Sequence, residues 1–260
     1  MKNFNKIELL DKVNNIEVKK TINKLLDGLI SMEKRKNIYV SDFLTPLEFN
    51  FAYKIISKLD VHYDIIFKNE DYDRKLIVFY KQDYDLKNFL EIIKFRDLDN
   101  MEHRNILGNI LHLGINREKI GDIIKIENYW YVYCLKPIGK FIFSNGIKHL
   151  KQDVEIQLLD DIFIFENFRE FSNEKIIVSS FRLDCFVKEL SKTSREVSKK
   201  LIKNSYVKLN YNECNDFDKK VNSDDIISIR KVGKFKVGVV ERTTKKDKYI
   251  VNVKRYKWFI

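Results

Sequence analysis

Little in this chain of 260 residues bends or cross-links it: there are 2 Pro, 8 Gly and 3 Cys. So few Pro and Gly leave no long flexible linker and no low-complexity tract, and the domains are expected to be closely connected. Cys134, Cys185 and Cys214 are odd in number, widely spaced and without a CxxC pair. That pattern argues against a disulfide framework or zinc knuckle and for reduced thiols. Cys134 as a nucleophile would need a partner His, and its aromatic, β-rich setting points instead to a buried thiol. The glycines form neither GxGxxG nor GxxxxGK, which removes the usual backbone cradle for a nucleotide or methyl-donor cofactor. His62, His103, His112 and His149 are scattered, with no HExxH and no carboxylate at ligand spacing, so neither a metal nor another cofactor is expected. Apolar runs such as Tyr129 to Leu135 are far too short to cross a bilayer. The charged start MKNFNKIELLDKVNN lacks the apolar centre of a secretory signal, so a cytoplasmic protein with no membrane partner is expected.

What the chain has is charge, unevenly placed. The formal net charge is +11, with 44% hydrophobic and 33% charged residues. Residues 171 to 260 carry 22 Lys or Arg against 11 Asp or Glu, whereas residues 1 to 170 carry 27 of each sign. A general lysine bias would spread the excess, so its confinement to one third is the footprint of a polyanion-binding module. The alternative is a solvated basic surface, and charge alone does not separate the two.

The patterning predicts an α+β fold of three small α/β units in series. In residues 1–82, Ile22, Leu25, Leu26, Leu29 and Ile30 follow helical spacing. At "TPLE", Thr45 with Glu48 predicts a capping box and Pro46 the first helical position. Strands are expected over Tyr63 to Phe67 and Lys75 to Tyr80. In residues 83–171, "HRNILGNILHLGINREKIGDI" predicts a helix ended by Gly114. There Gly108 is read as permitting close helix packing, and Gly121 with Asp122 as a turn. A strand at "NYWYVYCL", a helix from Pro137 to Leu150 and β-prone stretches at Val154 to Leu158 and Ile162 to Phe165 complete this unit.

Residues 172–260 predict two helices on a small twisted sheet with a terminal hairpin. Ser180 is read as capping a helix that buries Leu183, Phe186, Val187 and Leu190. Thr193 with Glu196 predicts a capping box for a second helix burying Val197, Leu201 and Ile202. Arg195, Lys199 and Lys203, four apart, then form one exposed stripe beside Lys200. Like charges at this spacing repel by a few tenths of a kcal/mol per pair, so something outside the helix must compensate. Lys192, Thr193, Ser194 and Arg195 at the helix start form a natural phosphate seat. Arg182 opens the first helix with a planar fork that suits a phosphate, or a local ion pair to Asp184 or Glu189. Outward Lys208, Arg230, Lys234 and Lys236 on the strands extend the candidate surface.

"RLDCFVKEL", "TSREVSKKLIKNSYVKLN" and "DDIISIR" resemble the S-four RNA-binding domain, the αL motif in which two helices and adjoining strands grip structured RNA. Where that family has Gly after the second helix, this chain has Ser205, and Asn204 is expected to take the left-handed turn. "HRNILGNILHLGINREKIGDI" is similar to the hallmark of the YlmH family of bacterial RNA-binding proteins, and "DFLTPLE" to its N-terminal domain. Asn105 stands where that hallmark has Asp. The resemblance implies a non-enzymatic monomer that binds ribosomal RNA and tRNA on the large ribosomal subunit, in rescue or quality control of stalled translation, with a further link to cell division. Within the hallmark, His103, Arg104, Arg117 and Lys119 are candidates for a secondary RNA surface. The competing classes are an RNA-modifying enzyme with its active site in residues 83 to 170, and a protein-interaction adaptor whose basic face meets an acidic partner.

Overall fold

The computed structural model of the protein describes residues 5–34, 37–97, 101–146, 155–244 and 246–257. The fold is α+β, and the chain divides into two compact units, one running to Phe168 and one from Arg169 onward. The boundary read from the sequence at residue 82 falls inside the first unit.

The first unit begins with helices α1 (Lys6–Asp11) and α2 (Ile16–Lys34), strand β1 (Ile38–Val40), helix α3 (Pro46–Ile56) and strands β2 (Tyr63–Ile66) and β3 (Leu76–Tyr80). Thr45 caps α3 through the reciprocal bonds of a capping box with Glu48, as its sequence predicts. Ile22, Leu25, Leu26 and Leu29 of α2 meet Ala52, Ile55 and Ile56 of α3 over Ile77 and Phe79 of the antiparallel sheet β1-β3-β2. The other face of that sheet, with Leu76 and Val78, packs against Leu90, Ile92, Ile124 and Tyr133 of a second sheet.

That second sheet comprises β4 (Leu90–Arg96), β5 (Ile120–Ile126), β6 (Tyr129–Leu135) and β7 (Ile156–Leu159), in the order β5-β6-β4-β7. Its far face, Ile93, Phe95, Trp130 and Val132, is covered by α4 (His103–His112) and α5 (Lys136–Asn145) through Ile106, Ile110 and Ile142. Two sheets thus stack between two helical layers, and the central residues of β4 and β6 are buried on both faces. The predicted continuation of α5 to Leu150, with His149, and the strand start at Val154 lie outside the described residues. Ile162 to Phe165 is not a strand; its aromatic side chains pack on Tyr131 instead.

The second unit contains β8 (Phe171–Val178), α6 (Leu183–Ser191), α7 (Arg195–Lys203), β9 (Val207–Leu209), β10 (Asn212–Glu213), β11 (Ile226–Ile229), β12 (Gly233–Thr243) and β13 (Tyr249–Tyr256). The sheet order is β10-β9-β11-β12-β13-β8, all neighbours antiparallel. Phe186, Val187 and Ile202 from the helices close its core over Val207, Ile227, Phe235, Val251 and Val253. Inward Val207 and Leu209, Ile227 and Ile229 alternate as their period of two requires.

The hallmark segment is structural in a way its glycines did not suggest. Gly114 is left-handed (φ 79°) and ends α4 as expected. Gly121 and Asp122, however, lie within β5 rather than in a turn. A Cβ on Gly121 would sit 2.5 Å from the ring of Phe43, so this glycine admits a ring from the neighbouring layer. Asp122 accepts from the Arg74 backbone N–H at 2.9 Å. Gly108, read as a close-packing glycine, has nothing within 4 Å of where its Cβ would stand. Gly121→Ala should therefore lower stability by about 1–3 kcal/mol through forced displacement of a buried ring. Gly108→Ala should raise it by about 0.5–1 kcal/mol through helix entropy alone. Urea denaturation midpoints at constant m check both signs.

Candidate nucleic-acid interface

The basic surface of the second unit is organised by one buried carboxylate. Asp184 lies in the first turn of α6 and is fully buried. Arg182, at the N-cap position, donates to it twice, Nε to Oδ1 at 3.1 Å and Nη2 to Oδ2 at 3.0 Å. Arg195, the first residue of α7, donates Nε to Oδ2 at 3.1 Å. Burial alone would push the Asp184 carboxyl up, but the hydrogen bonds and charges of the two guanidinium groups override it and hold the group below the ordinary carboxylate range. Two arginines far apart in sequence are thereby fixed side by side.

The segment after β10 completes the cluster. Backbone bonds from Asp184 N to Phe217 O (3.0 Å), Leu183 N to Lys219 O (2.9 Å) and Val221 N to Phe181 O (2.8 Å) zip residues 217–221 to the entry of α6. Phe217 then presents its ring to Lys199, whose Nζ lies 4.6 Å from the centroid, and to Arg182, whose Cζ lies 5.9 Å away. Asp218 also pairs with Arg182. The local ion pair foreseen for Arg182 is thus real, yet the Arg182 and Arg195 side chains keep 34% and 56% exposure. A guanidinium has five N–H donors. Among the described residues Arg195 gives only Nε–H, so both of its Nη groups are available to a ligand.

Helix α7 carries the rest. Its buried positions are Ser198 and Ile202, so Val197, expected inside, is 41% exposed. The stripe of Arg195, Lys199 and Lys203 flanks this buried edge, which is why Lys199 reaches Phe217 while Lys200, opposite the core, is exposed. The cap is Ser194, accepting from Val197 N at 3.3 Å, not Thr193. With the cap shifted by one, Glu196 falls at the second helical position and cannot close a box. Thr193 pairs with the Ser191 hydroxyl at 2.8 Å, and Lys192 takes the left-handed turn between the helices (φ 53°). Ser180 does not cap α6; its hydroxyl contacts Cys185 Sγ at 3.3 Å. At the far end of α7, Ser205 itself is left-handed (φ 56°), whereas Asn204 stays at φ −88°. Beyond it, Arg230 lies 5.2 Å over the exposed Tyr206 ring, and Lys208 points outward from β9.

Other candidates are placed differently. Lys234 is 5% exposed, its Nζ 4.9 Å over the ring of Tyr211 and 4.5 Å over that of Tyr256, so it does not belong to the outer face. Lys236 pairs with Asp224 at 3.4 Å. In the first unit, Lys119 donates to Asp42 at 2.6 Å, and Arg117 donates to the carbonyls of Ile120 and Gly121. Burial, with the nearby Arg74 charge, pushes the Arg117 guanidinium down to about 10. Burial and Arg117 likewise lower the His103 imidazole, and Arg104 pairs with Glu102. Lys119, Arg117 and His103 are thus tied into the first unit, whereas Arg104 stays exposed beside Glu102. Phe217 and Tyr206 were not foreseen as parts of the site, and Asp184 only as an ion-pair partner of Arg182. Among the described residues no group of three or more His, Cys, Asp or Glu is arranged to hold a metal, and no helix is long and apolar enough to cross a membrane.

The clamp makes a signed prediction. A carboxyl whose folded pKa is depressed stabilises the fold above its unfolded value, and that contribution is lost as pH falls through the lowered value. Asp184→Asn should therefore cost about 1–3 kcal/mol at pH 7 and flatten the acid limb of the stability curve below about pH 4. Denaturation midpoints of both proteins between pH 2 and pH 7 measure it.

The chain is similar to known proteins. Residues 80–161 match a family model described as "Putative RNA-binding domain in YlmH". Over 246 residues the chain is 26% identical to the ribosome-associated protein quality control protein P2 of Bacillus subtilis (strain 168), covering 91% of this chain and 94% of that protein. A solved structure, the cell division protein ylmH from Streptococcus pneumoniae, superposes over 56% of this chain and 93% of its own at 13% identity, with a TM-score of 0.49. A domain model specific to YlmH thus matches within a similarity to that Bacillus subtilis protein that runs nearly end to end.

Proposed function

We propose that this protein is a non-enzymatic RNA-binding factor that acts on the ribosome in the quality control of stalled translation. The observation that carries the reading is the Asp184 clamp, which holds Arg182 and Arg195 as a preorganised pair beside Lys199 and the Phe217 ring. Preorganised guanidinium groups lose little entropy on meeting phosphate and suit bidentate recognition. Thr193, Ser194 and the N-terminus of α7 adjoin them, so a phosphate there meets backbone N–H groups as well. Two helices on a small sheet, with cations along the second helix, fit an S-four type domain gripping structured RNA. The relative named for ribosome-associated quality control supports the ribosome as the place of action, hence the cytoplasm. Within it, ribosomal RNA and tRNA on the large subunit are the proposed ligands, bound by a monomer.

The test must respect the clamp. Removing both Arg182 and Arg195 would strand a buried carboxylate, at a cost of about 3–5 kcal/mol. Arg195→Gln with Lys199→Gln leaves the Arg182–Asp184 pair in place. Retention of the full chain on purified large ribosomal subunits should fall at least tenfold in this variant at 150 mM KCl. For the unaltered protein, log affinity against log salt should slope at about −3 to −4 for some five phosphate contacts. Unchanged retention of a variant with native circular dichroism would overturn the proposal. An RNA modification that vanishes on gene deletion would instead favour an enzyme.

A further inference from the structure

Among the described residues, one stretch of the inner face of the first unit's second sheet is left uncovered. Cross-strand pairing puts Ile92 with Tyr133, Lys94 with Tyr131 and Arg96 with Tyr129 on a single face. Ile92 and Tyr133 are buried against the first sheet, but the face continues past that cover into Lys94, Tyr131, Arg96 and Tyr129. Tyr129 is 36%, Phe163 38% and Ile164 39% exposed, a cluster of large side chains that a folding core alone would not leave in water.

These rings are rigidly held. Phe165 N–H donates to the Tyr72 hydroxyl (2.9 Å), which lies 3.1 Å from the Tyr133 hydroxyl, which in turn donates to the Phe163 carbonyl (2.9 Å). Burial raises both phenols, Tyr133 to about 12, so the relay keeps its protons at neutral pH. It pins residues 163–165 so that Phe163 and Phe165 stand edge-on to Tyr131, at centroid distances of 6.1 and 4.8 Å. Lys94 places its ammonium 4.2 Å from the Tyr129 centroid and 5.9 Å from that of Tyr131, and Arg96 is exposed in the next position on the same face. Asp97 directly follows Arg96 but pairs with Lys125, and Glu127 lies in the β5–β6 turn.

We propose that Tyr129, Tyr131 and Phe163, with Lys94 and Arg96, form a platform on which unpaired RNA bases stack while the cations meet the backbone. Fixed aromatic rings interleaved with cations on an open antiparallel sheet match splayed single-stranded nucleotides, whose base faces are free. Paired RNA hides those faces. An acidic protein segment would satisfy the cations but leave the rings unused. The inference rests on residues 80–161 being an RNA-binding segment, and it is separate from the basic face of the second unit, which needs phosphate geometry rather than free bases.

The test is fluorescence anisotropy of the full chain with a labelled single-stranded RNA decamer at 150 and 400 mM KCl. Tyr129→Ala with Phe163→Ala should weaken binding at least tenfold at both salt concentrations, since stacking is worth a factor of about five to a hundred per base. Tyr129→Phe should stay within about twofold of the unaltered protein, which separates lost stacking from lost folding. Lys94→Gln should weaken binding mainly at the lower salt. Fully double-stranded RNA should compete poorly. Equal affinity of the double alanine variant and the unaltered protein would overturn the platform while leaving the proposed action of the second unit intact. Loss of ribosome retention only in the Arg195→Gln, Lys199→Gln protein, with the decamer's ring dependence preserved, supports two separate sites.

Discussion

A carboxylate with no solvent exposure is unfavourable unless its charge and lone pairs are met, and Asp184 meets that condition with donors from two different helices. The requirement works in both directions. Asp184 cannot be buried unless Arg182 and Arg195 converge on it, and the two arginines would repel one another without it. The angle and register of α6 and α7 are therefore tied to the position of two cations, and the packing of Phe186, Val187 and Ile202 beneath them supplies the rigidity. A single interaction thus serves the core and the surface of the second unit together, because the charge that neutralises the interior is the charge shown to the exterior.

The two units use cations for opposite ends. In the first, Lys119 and Lys24 are spent on Asp42, Lys125 on Asp97, and Arg117 on backbone carbonyls. The Asp42 and Asp97 ties join segments remote in sequence, whereas Arg117 braces the start of β5 locally. In the second, Lys203 and Lys208 stand exposed, and Arg195 keeps most of its donors. The neutral balance of residues 1–170 and the surplus of residues 171–260 reflect this division of labour.

Much of this was legible where a local rule dominates. Thr45, Pro46 and Glu48 fix the start of α3 within four residues, and Gly114 ends α4 by its backbone freedom. The stripe of Arg195, Lys199 and Lys203 follows from helical spacing. What escaped the sequence depends on partners remote in the chain. Thr193 and Ser194 are equally good caps locally, and the choice fell to Ser194 because the left-handed Lys192 and the Ser191 bond set the turn. Val197, expected inside, is exposed because α7 docks through Ile202 and the small buried Ser198 brings the helix close. Leu90–Arg96 and Phe171–Val178 lacked clean alternation and went unread: β4 is buried on both faces, and β8 lies at an edge. Asp184 resembled any acidic residue in a first helical turn, and nothing short of the fold shows that its place is interior.

Charge counting also overstates the cationic surface that the second unit presents. Lys234 sits over Tyr211 and Tyr256, and Arg255 lies 5.4 Å over Phe235 while donating to the Val232 carbonyl at 2.9 Å. Such cations strengthen the sheet through ring contacts, and a cation that does not reach a phosphate releases none of the counterions condensed on the polyanion. The salt dependence of binding is set by the cations that reach a phosphate, a number fixed by side-chain placement. Net charge locates the module, but the geometry around Asp184 and Phe217 decides how many of its charges take part.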